Sequence, residues 1–171
     1  MAKLVTLIAQ LDDPSHGGTA TPPPPGFAVR PSNAADLQQL GMLYFEAYEP
    51  GVACDSLQEA TDDIKASFEG EYGEYWYEAS PIAEVDGRVV SAVMVVRTAP
   101  WDDTPDCPFI IELFTARDYR RLGLARLLMR HCFAVVRGNG EIAVALRVAG
   151  DNTPARALYE SLGFTNWDPL S

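Results

Sequence analysis

Apolar positions along this chain recur with two periods. Residues 82–97 read IAEVDGRVVSAVMVVR, two β-branched runs on either side of Asp86 and Gly87. Asp-Gly between such runs signals a two-residue type I′ hairpin. Residues 27–30 predict a short strand ended by Pro31, residues 109–116 a buried strand, and residues 142–148 another. Elsewhere helical spacing takes over. Leu37, Leu40, Leu43 and Tyr44 lie behind Asn33, which caps that helix with Asp36 in its first turn. Ser56 with Glu59 three residues later predicts a capping box opening a second helix to about Phe68, and Gly70 and Gly73 break it. A third helix covers 124–136, with Leu127, Leu128, Cys132 and Val135 on its buried side. A fourth covers 154–162, stopped by Gly163. The order β-α-α-β-β-β-α-β-α, with room for a final short strand, predicts an α/β fold. Its sheet is mixed, because the hairpin is antiparallel and the strand-helix-strand unit around 124–136 allows a parallel crossover.

With 171 residues the chain is long enough for one domain that buries roughly two thirds of its unfolded surface. Residues 12–26, DDPSHGGTATPPPPG, are a Pro- and Gly-rich stretch that joins neither a helix nor an inner strand. The expected division is therefore an N-terminal segment and linker, 1–26, followed by a folded domain, 27–171. The start MAKLVTLIAQLDD lacks a small-residue cleavage site and meets Asp12 and Asp13 at once, so a signal peptide is not expected. No apolar run approaches the ~20 residues that span a bilayer, and the expected location is cytoplasmic.

Charge narrows the partners. Twenty-four acidic residues against 13 Lys and Arg give a net charge of −11. Binding to phosphate backbones or anionic lipid rests on cationic side chains, so neither nucleic acid nor a membrane is an expected partner. Cys54, Cys107 and Cys132 are odd in number and widely spaced, and the histidines are His16 and His131 alone. That set suggests no disulfide framework, no metal centre and no Ser-His-Asp triad.

The chemistry-bearing stretch is residues 109–129, FIIELFTARDYRRLGLARLLM. A buried strand leads through Arg120, Arg121, Leu122, Gly123, Leu124 and Ala125 directly into an apolar helix. Gly123 lets backbone approach a ligand with no Cβ in the way, and small Ala125 does the same at the helix start. The unpaired N–H groups of that first turn carry the positive end of the helix dipole and suit an anion. Arg120, Arg121 and Arg126 add donors fitted to phosphate. Residues 117–137 hold six arginines against Asp118 alone, a local reversal of charge that favours a polyanionic ligand over a merely solvated basic face. A dinucleotide fold is less favoured, since GxGxxG is absent.

Here the sequence resembles a known family. Arg120, Gly123 and Ala125 match the R/Q-x-x-G-x-G/A signature of the Gcn5-related N-acetyltransferases (GNAT). Asn152, Ala155, Leu158, Tyr159, Leu162, Gly163 and Phe164 sit where that family has N-x-x-A-x-x-L-Y-x-x-L-G-F. The resemblance covers residues 27–164 and implies a GNAT-like mixed sheet with a central splayed strand pair, flanked by helices. It implies acetyl-CoA as co-substrate, its pantetheine arm lying in the splay like an extra strand. Leu113, Phe114 and Thr115 would offer the backbone groups that pair with it, and an N–H near Leu113 would stabilise the oxyanion. Arg121 through Arg126 would cradle the pyrophosphate. Asn152 would meet the arm, or tie the splayed strand to the last helix, or simply cap that helix.

Tyr159 is the expected general acid, since a phenol near pKa ~10 is reasonably matched to a leaving thiolate; the alternative is a ring that only packs against the sheet. Glu112 is an unexpected charge inside FIIELF and would be costly if buried without partners. It either faces the acceptor pocket, as base or amine ligand, or lies on an outer face. The activity so implied is transfer of an acetyl group to a primary amine, by direct transfer in a ternary complex. The alternative is a non-catalytic acyl-CoA-binding sensor or interaction module.

Residues 46–78 contain ten carboxylates with Lys65 as the one basic residue, and EYGEYWYE interleaves them with Tyr72, Tyr75, Trp76 and Tyr77. In the resembling family this part lines the acceptor pocket. Carboxylates and aromatic faces suit a cationic small molecule or a peptide N-terminus, though the same tract also reads as a solvated surface over a core. Two departures from the family pattern stand out. Thr115 replaces an apolar β-branched residue. Only residues 165–171 follow Leu162-Gly163-Phe164, too few for the usual terminal hairpin. The open sheet edge this leaves could be filled by the strand-like residues 3–11, in their own chain or in a partner's as a homodimer.

Overall fold

The computed structural model describes residues 3–11, 22–49 and 51–170. Residues 12–21, which carry His16 and most of the expected linker, lie outside the described residues. The strands are β1 (Leu4–Gln10), β2 (Phe27–Pro31), β3 (Pro81–Val85), β4 (Arg88–Val96), β5 (Phe109–Thr115), β6 (Ala143–Ala149) and β7 (Phe164–Asn166). They form one mixed sheet in the order β2-β3-β4-β5-β6-β1-β7. Flanking it are α1 (Leu37–Ala47), α2 (Leu57–Phe68), α3 (Leu124–Gly138) and α4 (Thr153–Ser161). No helix among the described residues is long and apolar enough to cross a membrane.

Local chemistry explains the boundaries. Asp86 and Gly87 both take positive φ, 51° and 77°, as a type I′ turn between β3 and β4 requires. Asn33 caps a single 3₁₀ turn that leads into α1, its side-chain oxygen accepting from Ala35 N at 2.9 Å. At α2 the Ser56 hydroxyl accepts from Glu59 N at 3.0 Å, but the Glu59 carboxylate reaches the Asp55 N–H at 3.3 Å, so the expected box closes one residue earlier.

Two features of the sheet position the site. β5 and β6, the one parallel pair, are bonded only where Phe109 faces Ala145 and Ile110 faces Leu146. Beyond that the two strands separate, which is the expected central splay. Next to it the register between β4 and β5 slips: Val95 lies opposite Ile110, yet Met94 lies opposite Glu112. Ile111 is thus the extra residue of a β-bulge. It moves Glu112 off the face occupied by Ile110 and onto the face shared with Phe114.

β1 runs antiparallel to β6 over its whole length, from Leu4 against Ala149 to Gln10 against Ala143, and antiparallel to β7 on its other side. The segment expected to fill the open edge does so within its own chain. Leu7, Ala9 and Leu11 are wholly inside the core, and the Leu11 N–H reaches Ile142 O at 2.7 Å.

Candidate active site

A cleft of about 790 Å³ opens where β5 leaves β6. Its walls come from the end of α1 (Ala47, Tyr48, Glu49), the end of β5 (Leu113, Phe114, Thr115), the arginine-rich turn before α3, and α4 (Asn152, Leu158, Tyr159). Elements distant in sequence converge because the sheet splits there.

The strand edge is open on one side. Ala116 donates its N–H to Val90 O at 2.8 Å, so by alternation Ala116 and Phe114 turn their backbone groups toward β4. Leu113 and Thr115 turn theirs toward the gap, where no strand answers them. Thr115 O is taken by the Arg120 side chain, its Nε donating at 3.2 Å. Leu113 therefore presents both its N–H and its C=O to the cleft. Phe114 contributes its ring instead, packed at 5.4 Å on Tyr44. The Thr115 hydroxyl lies 2.8 Å from that of Ser91, so the departure from an apolar residue is absorbed by a side-chain hydrogen bond.

The turn before α3 offers donors and open space. Arg121 and Gly123 both take left-handed backbone, φ 66° and 78°, with exposed Leu122 between them. Gly123 is the N-cap of α3, and the first intrahelical bond runs from Leu127 N to Gly123 O at 3.0 Å. The N–H groups of Leu124, Ala125 and Arg126 precede that bond and have no helical acceptor. A Cβ built on Gly123 would meet nothing within 4 Å, so the space before the turn is open. Leu124 itself anchors the helix in the core. Free N–H groups, open space and the cation Arg121 fit a pyrophosphate, and the unpaired Leu113 edge fits an amide-bearing arm. Arg120 enters this turn with its backbone, but its guanidinium points back to the carbonyls of Thr115 and Ala47. Asn152 caps α4, its Oδ1 accepting from Ala155 N at 3.3 Å, while the residue also lines the cleft.

Glu112 sits among phenols. Tyr48 donates to its Oε2 at 3.0 Å and Tyr44 to its Oε1 at 3.4 Å. Burial pushes the carboxyl up to about 7 despite these donors, with the nearby Asp63 charge adding to the rise. Tyr159, half-buried with its ring edge on Phe164 at 5.7 Å, is raised to about 12 by burial and then by the Glu112 charge. The structure thus places in the cleft wall a phenol that stays protonated and, one hydrogen bond behind that wall through Tyr48, a carboxyl raised toward neutrality.

Tyr44 and Tyr48 are absent from the candidate residues read from sequence. Their four-residue spacing at the end of the expected helix was the available signal, and it reads equally as core packing. The aromatic tract divides. Tyr75 and Trp76 are buried in the core, Tyr77 packs on Phe68 at 5.3 Å, and Tyr72 donates to Asp63 at 2.7 Å. Of the ten carboxylates in 46–78, nine are exposed and Asp63 is half-buried.

Comparison with known proteins joins these features. The [ribosomal protein bS18]-alanine N-acetyltransferase of Salmonella typhimurium is 43% identical over 47 residues, 28% of this chain and 32% of that protein. A GCN5-related N-acetyltransferase from Sphaerobacter thermophilus superposes with a TM-score of 0.71 at 20% identity, over 96% of this chain and 48% of its own. The aminoglycoside N-acetyltransferase AAC(6')-Iy in complex with CoA gives 0.63 at 20% identity, over 85% of this chain and 91% of its own. This chain thus spans about a third of the first relative and about half of the second. The model of the Acetyltransferase (GNAT) family matches residues 38–164, from α1 through the splay to the last strand, and the chain belongs to that family.

Proposed function

We propose that the chain is an N-acetyltransferase that moves an acetyl group from acetyl-CoA to a primary amine within a ternary complex. The observation that carries this reading is Glu112. It is a carboxyl pushed up to about 7 by burial, turned by a bulge onto the hydroxyl of cleft-lining Tyr48 and next in sequence to Leu113, whose strand edge has no partner.

The Leu113 backbone would align the donor's arm, and the α3 turn would hold its pyrophosphate through the free N–H groups of Leu124, Ala125 and Arg126, with Arg121 alongside. The amine, bound as its free base after losing the ammonium proton to solvent, attacks the thioester carbon and forms the C–N bond, while Glu112 takes the proton that the nitrogen then sheds, through water or the Tyr48 hydroxyl. The Leu113 N–H donates to the oxygen as it becomes negative. The C–S bond then breaks, the sulfur keeps the electron pair, and Tyr159 supplies its proton. Solvent returns the proton from Glu112 to Tyr159.

For the acceptor we propose a cationic small molecule or a peptide N-terminus. Exposed carboxylates on 46–78 favour positive charge on that side of the molecule, and Glu49 reaches into the cleft wall itself. The relative that acetylates a ribosomal-protein alanine adds weight to the peptide class.

The test is CoA release from acetyl-CoA across polyamines, amino sugars and peptides with free N-termini, with Tyr159→Phe alongside. Turnover with one cationic class, lowered ~10²-fold or more in the variant, is the expected result. Acetyl-CoA raising the melting temperature with no turnover on any amine would overturn it in favour of a non-catalytic acyl-CoA-binding module.

A further inference from the structure

Three consecutive residues at the end of α1 are each held from the strand–turn segment that follows β4. Arg120 donates from its guanidinium to Ala47 O, Tyr48 donates to Glu112 at 3.0 Å, and Glu49 pairs with Arg117 at 3.2 Å. Arg120 makes a second bond in the same span, its Nε donating to Thr115 O at 3.2 Å. One planar guanidinium therefore bridges the last turn of α1 and the end of β5, the two pieces that carry Tyr48 and Glu112. Its fork geometry suits two carbonyl acceptors on separate elements in a way an ammonium does not. Ala47 O lies in the last turn of α1, where carbonyls lack helical partners and a cation is favoured.

We propose that Arg120 is a positioning residue. By clamping Ala47 O to Thr115 O, it holds the Tyr48 hydroxyl on Glu112 and so sets the protonation of the acceptor-side carboxylate. The inference rests on the reading of Glu112 given above and assigns a task to a guanidinium that does not face the anion-binding turn. Arg117 and Glu49 are both exposed and screened by water, so that pair guides the same loop but contributes little on its own.

The consequences follow from the groups around Glu112. Tyr44 of α1 and Tyr48, its C-cap, donate to it, while Asp63 of α2 adds a like charge. Tyr159 of α4 and Tyr72, after α2, both feel its charge. Of these, Tyr48 makes the shorter bond and is tethered beside the Arg120 clamp. With the clamp gone the Tyr48 hydroxyl drifts, the ionised carboxylate loses a donor, and Glu112 holds its proton to higher pH.

The experiment is a carboxyl ¹³C NMR titration of the full chain labelled at glutamate, with the Glu112 signal assigned by its loss in Glu112→Gln. The samples are wild type, Tyr48→Phe, Arg120→Lys, Arg120→Gln and the double variant Tyr48→Phe/Arg120→Gln. Melting temperatures show which variants are folded, and the lysine variant is the conservative partner should the glutamine one not fold. Tyr48→Phe is expected to raise the Glu112 midpoint by about half a unit to one unit, the worth of one hydrogen bond. Arg120→Gln should raise it similarly, Arg120→Lys by less, and the double variant no further than Tyr48→Phe alone. A folded Arg120 variant with an unmoved Glu112 midpoint, or additive shifts in the double, overturns the proposal. A wild-type Glu112 that titrates as an ordinary glutamate would instead overturn the reading of Glu112 on which it rests, so the two failures are distinct.

Discussion

The Tyr48 hydroxyl, at the C-terminal end of α1, lies 3.0 Å from Oε2 of Glu112 in the middle of β5. The bond joins residues sixty-four apart in sequence, with Tyr48 lining the cleft and Glu112 behind it. It also explains how a carboxylate is tolerated at that depth, since a half-buried anion needs donors and Tyr44 of α1 and its C-cap Tyr48 supply them. Burial still wins, which leaves the carboxyl able to take up and release a proton near neutral pH.

Glu112→Gln should trade activity for stability, with a definite pH dependence. In the native protein Glu112 holds its proton to about pH 7, whereas in the unfolded chain it is lost around 4.5. Between those values the native state binds more protons, so this group's contribution declines as pH rises and is at its least favourable above 7. The neutral glutamine escapes that decline. The variant should match wild type near pH 4 and exceed it by about 3 kcal/mol at pH 8, while turnover falls ~10²-fold or more. Thermal melts at both pH values check this; equal offsets at pH 4 and 8 would contradict it.

Tyr159→Phe should lower kcat ~10²-fold and leave CoA affinity within a factor of a few, because the hydroxyl acts on the sulfur only as the bond breaks. With the phenol pushed up to about 12, the wild-type pH profile should show no basic limb from this group below about pH 10. Calorimetric CoA binding beside steady-state rates separates the two effects. A variant that loses affinity and rate in equal measure would make Tyr159 a packing residue, held by its contact with Phe164.

Period-two alternation, an Asp-Gly turn and two capping residues carried most of the element order, because these are local signals that tertiary contacts here reinforce. The glycine turn into α3 was legible for the same reason: a left-handed glycine and the free N–H groups of a helix start are properties of a few adjacent residues. Glu112 stood out as a charge inside an apolar strand, but the way it faces was not legible. The bulge at Ile111 breaks alternation in the one strand where facing decides the chemistry, and nothing in FIIELF marks it. Tyr75 and Trp76 read equally as a binding surface or as core beneath a solvated acidic face, because aromatic and acidic residues alternate there. The structure turns the rings inward and the carboxylates outward, a choice set by packing on β4 rather than by composition. Arg120 was read as a phosphate donor, and its reach to Ala47 depends on a helix end seventy-three residues away.

Gly123→Ala tests the anion turn. At φ 78° a side chain costs about 1 kcal/mol or somewhat more, so the fold should lose only a few degrees of melting temperature. No protein atom stands within 4 Å of the added methyl, so steric damage in the free protein is absent. The methyl instead enters the space where a pyrophosphate would approach, and CoA affinity should drop ~10-fold or more. Dephospho-CoA retains the pyrophosphate and should suffer alike, whereas pantetheine, which lacks it, should not. An unchanged CoA affinity would place the phosphates elsewhere.

Leu7→Ala asks whether β1 is a part of the core or an attachment to it. Leu7 is 1% exposed and sits in a strand bonded on both sides, opposite Leu146 and Asn166. Truncating a leucine at such a site costs about 2–5 kcal/mol through lost burial and the cavity left behind. Leu4 in the same strand is 60% exposed, so Leu4→Ala should cost under about 0.5 kcal/mol and serves as the control. Deleting residues 1–11 should do more than either. It strips β6 and β7 of their shared neighbour, leaves two open edges, and frees β7, whose strand pairing is entirely to β1. Urea unfolding of the three variants measures this. Equal, small effects from Leu7→Ala and Leu4→Ala would mean that the strand is not docked in solution, whereas a large difference makes the N-terminal strand the element that closes the sheet behind the splay.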